Sequence, residues 1–200
     1  SSIDYLTHGS IILDGQQLEK LSNKALSEIR KKDIGFIFQE YNLLHTLTVK
    51  ENIMLPLSVQ KLDKKEMNER YQRITQALNI FEISDKYPSD ISGGQRQRTS
   101  AARAFITYPK IIFADEPTGA LDSKNTRDLL QRFQKINELY NATIVMVTHD
   151  PLAASFSERV IMLKDGQVFT EIYQGEDDKN VFHKEILRAQ SILGGMMYEF

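Results

Sequence analysis

Two short segments carry most of the chemistry that this chain offers: Ser92-Gly93-Gly94-Gln95 and Asp115-Glu116. A serine ahead of two glycines can cap a helix beginning near Gly93. Without Cβ atoms, a ligand can approach the backbone there, and the first N–H groups of the helix face an anion. That is a phosphate-binding geometry. Asp115 and Glu116 close the apolar run 111–114 and precede Pro117, the pattern of a buried parallel strand emptying into a crevice. Carboxylates so placed can hold a metal ion and activate water. Each segment alone also has an ordinary reading, a loop and cap for the first and a solvated turn for the second. Their conjunction over residues 91–122, with a basic-studded helix and one strand between them, distinguishes the two readings.

Other elements must bring further groups to that crevice. Residues 34–38 read as an apolar strand that delivers Gln39, Glu40 and Tyr41 at its end. Taken alone, Gln39 is a strand-end amide. Residues 143–147 are β-branched and read as a buried strand ending in Thr148-His149-Asp150-Pro151, which would set His149 beside Glu116 if the strands run parallel. His8, His45 and His183 have no such setting. Residues 10–14 suggest a strand and turn, and 22–31 a short amphipathic helix. Residues 42–87 are mostly helical in pattern. There Thr48 to Glu51 forms a capping box, Pro56 ends or kinks a helix, and Met67, Tyr71, Ile74 and Leu78 share one face. A packing helix over 123–140 aligns Leu129, Leu130, Phe133, Ile136 and Leu139. A hairpin turns at Asp165-Gly166, and Val181, Phe182, Ile186, Ala189 and Leu193 outline a last amphipathic helix before the apolar end Met196, Met197, Tyr198 and Phe200.

Composition narrows the class. Two hundred residues, 41% of them hydrophobic, suffice for one sizeable core, most simply an α/β domain with a helical subregion. A net charge of −2 and a pI near 6.1, with no long basic block, argue against a nucleic-acid surface. The chain has no cysteine, hence no disulfide framework and no thiolate metal site, which suits a reducing cytosol. Apolar runs are only a few residues long, so a membrane link must come through a partner.

The order Ser-Gly-Gly-Gln, helix, strand, Asp-Glu-Pro and Gly-Ala-Leu-Asp closely resembles the nucleotide-binding domain of ATP-binding cassette (ABC) transporters. The tail adds a resemblance to the bacitracin-export branch of antimicrobial-peptide resistance, and residues 34–57 resemble in style the related macrolide and lipoprotein-release branches as well. The resemblance implies a P-loop-NTPase-like α/β fold. Its parts would be the remainder of the ATPase core to residue 41, a helical subdomain over 42–90, the signature helix and RecA-like core over 91–175, and a tail over 176–200. It also implies ATP and Mg²⁺ as cofactors. Asp115 and Gln39 would serve the metal, Glu116, His149 and Gln39 would act in catalysis, and Ser92, Gly93, Gly94, Gln95 and Asp122 would serve the nucleotide across a homodimer. The implied partner is a transmembrane permease, with the subunit cytoplasmic and peripheral at the inner face of the cell membrane. Phe38, Tyr41, Asn42 and residues 43–47 would lie near that contact.

One expected motif is missing. No glycine opens a G-x-x-x-x-G-K-[ST] phosphate loop, and no adenine-stacking aromatic is found upstream. The residues from Ser1 to Tyr5 match the point just after the helix that follows that loop, so the resemblance implies an amino-terminally truncated domain lacking its first strands. One helix N-terminus contributes roughly 0.3–1 kcal/mol toward an anion, against about 4 kcal/mol for even millimolar binding. The half-site alone is therefore expected to bind ATP poorly. Two further readings stand beside ATP-driven transport: a non-catalytic interaction module, and a soluble ABC ATPase of translation or DNA repair, which would be expected to show a second cassette or a coiled-coil insertion.

Overall fold

The computed structural model describes residues 7–60 and 62–194; the apolar end at Met196 to Phe200 and the start at Ser1 to Tyr5 lie outside the described residues. The first elements are short. β1 (Ile12–Leu13) and β2 (Gln16–Gln17) pair antiparallel around Asp14-Gly15, so the strand expected over 10–14 shrinks to two residues and joins its own small ribbon. α1 (Asn23–Lys32) is capped by Ser22, whose side chain accepts the Ala25 N–H. It feeds β3 (Ile34–Ile37).

The long connection that follows is helical. α2 (Val49–Met54) starts at a capping box in which Thr48 and Glu51 each accept the other's backbone N–H. Pro56 sits in the 3₁₀ turn Leu55–Val59 that ends this run. α3 (Lys64–Ala77) buries Tyr71 and Ile74, with Leu78 just beyond it and Met67 packed at the margin. α4 (Gly93–Phe105) then leads to β4 (Ile111–Asp115), α5 (Ser123–Tyr140) and β5 (Thr143–Val147). α4 stops four residues short of Pro109, because residues 106–110 form a turn back to the sheet with Tyr108 in left-handed backbone.

The sheet order is β3-β4-β5, all parallel. Register sets Ile37 beside Ala114 and Asp115 beside Val147. All three carboxyl ends therefore open on one edge, and Gln39, Glu116 and His149 leave from it.

Helices cover one face of this sheet. Ile37, Ile112 and Ala114 meet Ala101, Ala102 and Phe105 of α4 and Leu129, Phe133 and Ile136 of α5 in a single cluster that continues into Val49, Ile53, Leu57 and Ile74. Each such large side chain contributes about 1.5–3 kcal/mol on burial. Phe105 meets Phe133 edge to face with centroids 5.7 Å apart. Close approach of α4 to β3 depends on Gly35, where a Cβ would stand 2.8 Å from the Ala104 carbonyl oxygen.

Two expectations of burial change. β5 is not buried throughout: its side chains alternate, and Val147 is 60% exposed. β5 pairs only with β4 among the described residues. β4 is hydrogen-bonded on both sides, so the apolar surface of the sheet lies on β5, where Val145 and Val147 are exposed. Leu139, placed on the packing face of α5 by its spacing, is 70% exposed; in that last turn Tyr140 continues the Leu129-Phe133-Ile136 stripe and packs against the core instead.

The remaining elements are α6 (Pro151–Ala154), the hairpin β6 (Arg159–Lys164) and β7 (Gln167–Tyr173), and α7 (Lys179–Leu193). The hairpin turns at Asp165-Gly166 as its sequence dictates. α7 buries Phe182 and Ile186, and its Gln190 side chain donates to the His149 carbonyl at 3.3 Å.

Candidate active site

Glu116 is held by its backbone and its carboxylate together. Its φ of 43° leaves the strand for left-handed space, a conformation that costs a non-glycine residue about 1–3 kcal/mol. Its N–H still donates to the Val147 carbonyl at 2.9 Å, which pins the turn to β5. Oε1 accepts the His149 N–H at 3.0 Å and lies 2.7 Å from His149 Nδ1, while Oε2 accepts the Thr148 hydroxyl at 3.2 Å. Thr148 Oγ1 in turn accepts the Asp150 N–H at 3.1 Å. The hydrogen bond and charge of Glu116 raise the His149 pKa above the ordinary value of 6.5. With Nδ1 engaged, Nε2 of this exposed ring is the nitrogen left for a ligand.

Gln39 reaches the same edge from β3. Its amide lies against Gly119: a Cβ there would stand 3.1 Å from Gln39 Nε2 and 3.4 Å from the Glu116 carbonyl oxygen. The Gly119 N–H donates to that carbonyl at 3.0 Å, so Gln39 packs directly on the turn that carries Glu116. The loop after Gln39 is tightly held. Tyr41 and Asn42 both take left-handed φ, at 64° and 47°, and Arg103 of α4 donates to their carbonyls at 2.9 and 2.5 Å. Burial lowers the pKa of Arg103, yet a guanidinium keeps its charge. Arg96 sits over the Tyr41 ring, 5.4 Å from its centroid.

Ser92 caps α4 as its sequence implied. Its Oγ accepts the Gln95 N–H at 3.3 Å and its own N–H donates to Gln95 Oε1 at 2.8 Å. The N–H groups of Gly93 and Gly94, first in the helix, have no intrahelical acceptor and are available to an anion. Asp122 caps α5, accepting from Lys124 N, Asn125 N and Asn125 Nδ2. These bonds, those from Asn125 foremost, hold its carboxyl below the usual aspartate range. Asn125 Oδ1 lies 3.3 Å from where a Cβ on Gly94 would be. The starts of α4 and α5 are thus neighbours.

The candidate residues fall into two groups: Gln39, Asp115, Glu116 and His149 at the sheet edge, and Ser92 to Gln95 with Asp122 at the two helix starts. A cleft of about 230 Å³ lies beside the first, lined by Glu116, Thr118, Gly119, Leu121, His149 and Asp150 among others. Among the described residues no cluster of three or more His, Cys, Asp or Glu could hold a metal by itself. Asp115 and Gln39 offer one carboxylate and one amide, which fits Mg²⁺ held largely through water and phosphate oxygens rather than a protein cage. Two contributors escaped the sequence reading. Thr148 stands next to His149 but looks like one more strand residue. Gln97 lies inside the signature helix, and its Nε2 bonds to the carbonyls of Phe38 and Pro117.

The sequence matches the ABC transporter family over residues 2–119. Bacitracin export ATP-binding protein BceA of Halalkalibacterium halodurans is 57% identical over 196 residues, which span 98% of this chain and 78% of that protein. ABC transporter ATP-binding protein YxdL of Bacillus subtilis is 46% identical over 98% of this chain and 76% of its own length. The dimeric post-hydrolysis structure of the ATP-binding cassette MJ0796 of Methanocaldococcus jannaschii, bound to ADP and Pi, matches with a TM-score of 0.76 at 38% identity, over 86% of this chain and 76% of that one. The structure of cbiO1 from Clostridium perfringens shares the fold, with a TM-score of 0.81 at 24% identity over 96% of this chain and 75% of that one.

Proposed function

This chain belongs to the ABC transporter family of ATP-binding proteins, and from that premise we infer that Glu116 is its catalytic base, in a subunit that powers a permease for peptide antibiotics or similar amphiphiles. The observation that carries the reading is the Glu116 carboxylate, fixed by Thr148 and His149 at the carboxyl end of β4 with Gln39 against the same turn. Likeness to a bacitracin exporter supports the substrate class.

Asp115, through water, and Gln39 would hold Mg²⁺, which supplies charge neutralisation on the ATP phosphates. Glu116 orients a water in line with the γ-phosphorus and accepts its proton as the new P–O bond forms and the bond to the β–γ bridging oxygen breaks. His149 reaches the γ-phosphate oxygens through Nε2, the ring nitrogen that Glu116 leaves free. Gly93 and Gly94 close over ATP bound by a second copy, with Ser92 and Gln95 fixing the helix start and Asp122 linking the two sites. Transport couples through the segment around Gln39, where Phe38, Tyr41 and Asn42 face the permease. No described helix is long and apolar enough to cross a membrane; the subunit sits at the inner face of the cell membrane through that partner.

Glu116→Gln in the full-length protein tests the assignment. ATP binding should persist while turnover falls by about 10²–10⁴, the usual contribution of a positioned general base. Unchanged turnover would sink the assignment.

A further inference from the structure

Gln97 has no part in the mechanism above, yet its side chain is only 1% exposed and stands between the two loops that the mechanism needs. Its Nε2 donates to the Pro117 carbonyl at 2.7 Å and to the Phe38 carbonyl at 3.4 Å. Pro117 follows Glu116 and Phe38 precedes Gln39, so one amide group joins loops that lie 20 and 59 residues away in the chain. A carboxamide NH₂ has two protons and can make both bonds at once without burying a charge. Its other end is left without a partner: Oε1 is buried and makes no hydrogen bond. Packing alone would favour an apolar side chain of the same length here, because nearly all buried polar atoms in folded proteins find partners.

We propose that Gln97 is a positioning residue that sets the separation of Gln39 from Glu116. The inference rests on the roles given to those two residues. Gln97 sits on α4, whose backbone is rigid and packed into the core, so the two loops are referenced to a fixed element rather than only to each other. Its neighbours on α4 serve the same stretch from the other side: Arg103 holds Tyr41 and Asn42, and Gln39 lies between the two attachments. Gln97 is buried and is not part of the lining of the cleft beside Glu116. Its loss therefore acts on the chemical step and leaves nucleotide binding in place.

The test is Gln97→Met, which keeps the chain length, removes both donors and removes the unpartnered oxygen. Steady-state ATPase of the full-length protein should show kcat lower by about tenfold, since misplacing a reacting group by 1 Å can cost about 100-fold, with KM for ATP within about threefold. Gln97→Asn keeps the amide but is one methylene too short to reach both loops. It should show the same split to a smaller degree, and it carries the test should the methionine variant not fold. Unchanged kcat in a folded variant overturns the proposal. So does a deficit that disappears in sucrose or at lower temperature, which would make Gln97 a stabiliser only. Glu116→Gln is measured alongside. If it abolishes turnover while the Gln97 variants keep theirs, the proposed function stands and this inference falls; if it keeps turnover, the roles assigned to Glu116 and to Gln97 fall together.

Discussion

Gly119→Ala should slow catalysis while making the protein slightly more stable. Gly119 does not use the left-handed backbone that only glycine tolerates easily, so alanine fits its conformation. The added Cβ meets Gln39 Nε2 at 3.1 Å, Gln39 Cδ at 3.2 Å and the Glu116 carbonyl oxygen at 3.4 Å. Ordinary contacts begin near 3.5 Å, so the Gln39 amide must retreat by roughly 0.4 Å. If a 1 Å displacement costs about 100-fold, 0.4 Å scales to about sixfold in kcat. Meanwhile glycine to alanine at a compatible site stabilises by about 0.4–1 kcal/mol through the unfolded chain, or about 1–4 °C in Tm for a domain of this size. Steady-state ATPase and thermal melting of the same preparation read both quantities. In a Gln39→Ala background the kcat effect of Gly119→Ala should vanish, because the group being displaced is gone. A raised Tm with unchanged kcat would refute the reasoning by showing that Gln39 placement does not govern the rate.

Ser92→Ala removes one half of the α4 capping box and should cost about 0.5–2 kcal/mol, read as a lower thermal midpoint. His149 gives a pH dependence. Its pKa is raised by Glu116, so the stability its protonation contributes is fully present below the ordinary value of 6.5 and is lost as pH rises through the elevated folded value. Melting against pH should show that loss in the wild type and a weaker one in Glu116→Gln, and an NMR titration should find His149 at a lower pKa in the variant. β5 has one partner strand among the described residues and exposes Val145 and Val147, so the 200-residue chain should self-associate in sedimentation and Val147→Lys should reduce that association; association unchanged by the lysine would show that another surface carries it.

Local signals located most of the fold because they act over a few residues. Thr48 and Ser92 each cap the helix that their position announces, and Asp165-Gly166 turns its hairpin. The parallel register that sets Ile37 beside Ala114 and Ala114 beside Met146 is not a local property. A β-branched run such as residues 143–147 reads as buried wherever it lies in a sheet, so its exposure depended on which strand was central. That information sits in the strand order alone. Leu139 fails for a different reason: helical spacing gives a face whose width the neighbouring elements set, and in the last turn Tyr140 rather than Leu139 meets the core.

Types and spacing pointed to Glu116 and His149, and the structure sets them 2.7 Å apart. What they could not indicate is how the groups are held. Glu116, Tyr41 and Asn42 all adopt left-handed backbone without being glycine, and a sequence carries no signal for that when the residue is needed for its side chain. Such turns persist only where other groups over-determine them. Here the groups are polar side chains of α4, Gln97 toward Phe38 and Pro117, and Arg103 toward Tyr41 and Asn42. Both stand in a segment whose glycines drew the attention. In a helix that starts with a ligand-facing turn, the residues one and three turns further on can be as necessary as the turn itself, because they bond the carbonyls of loops whose own sequences cannot hold them in place.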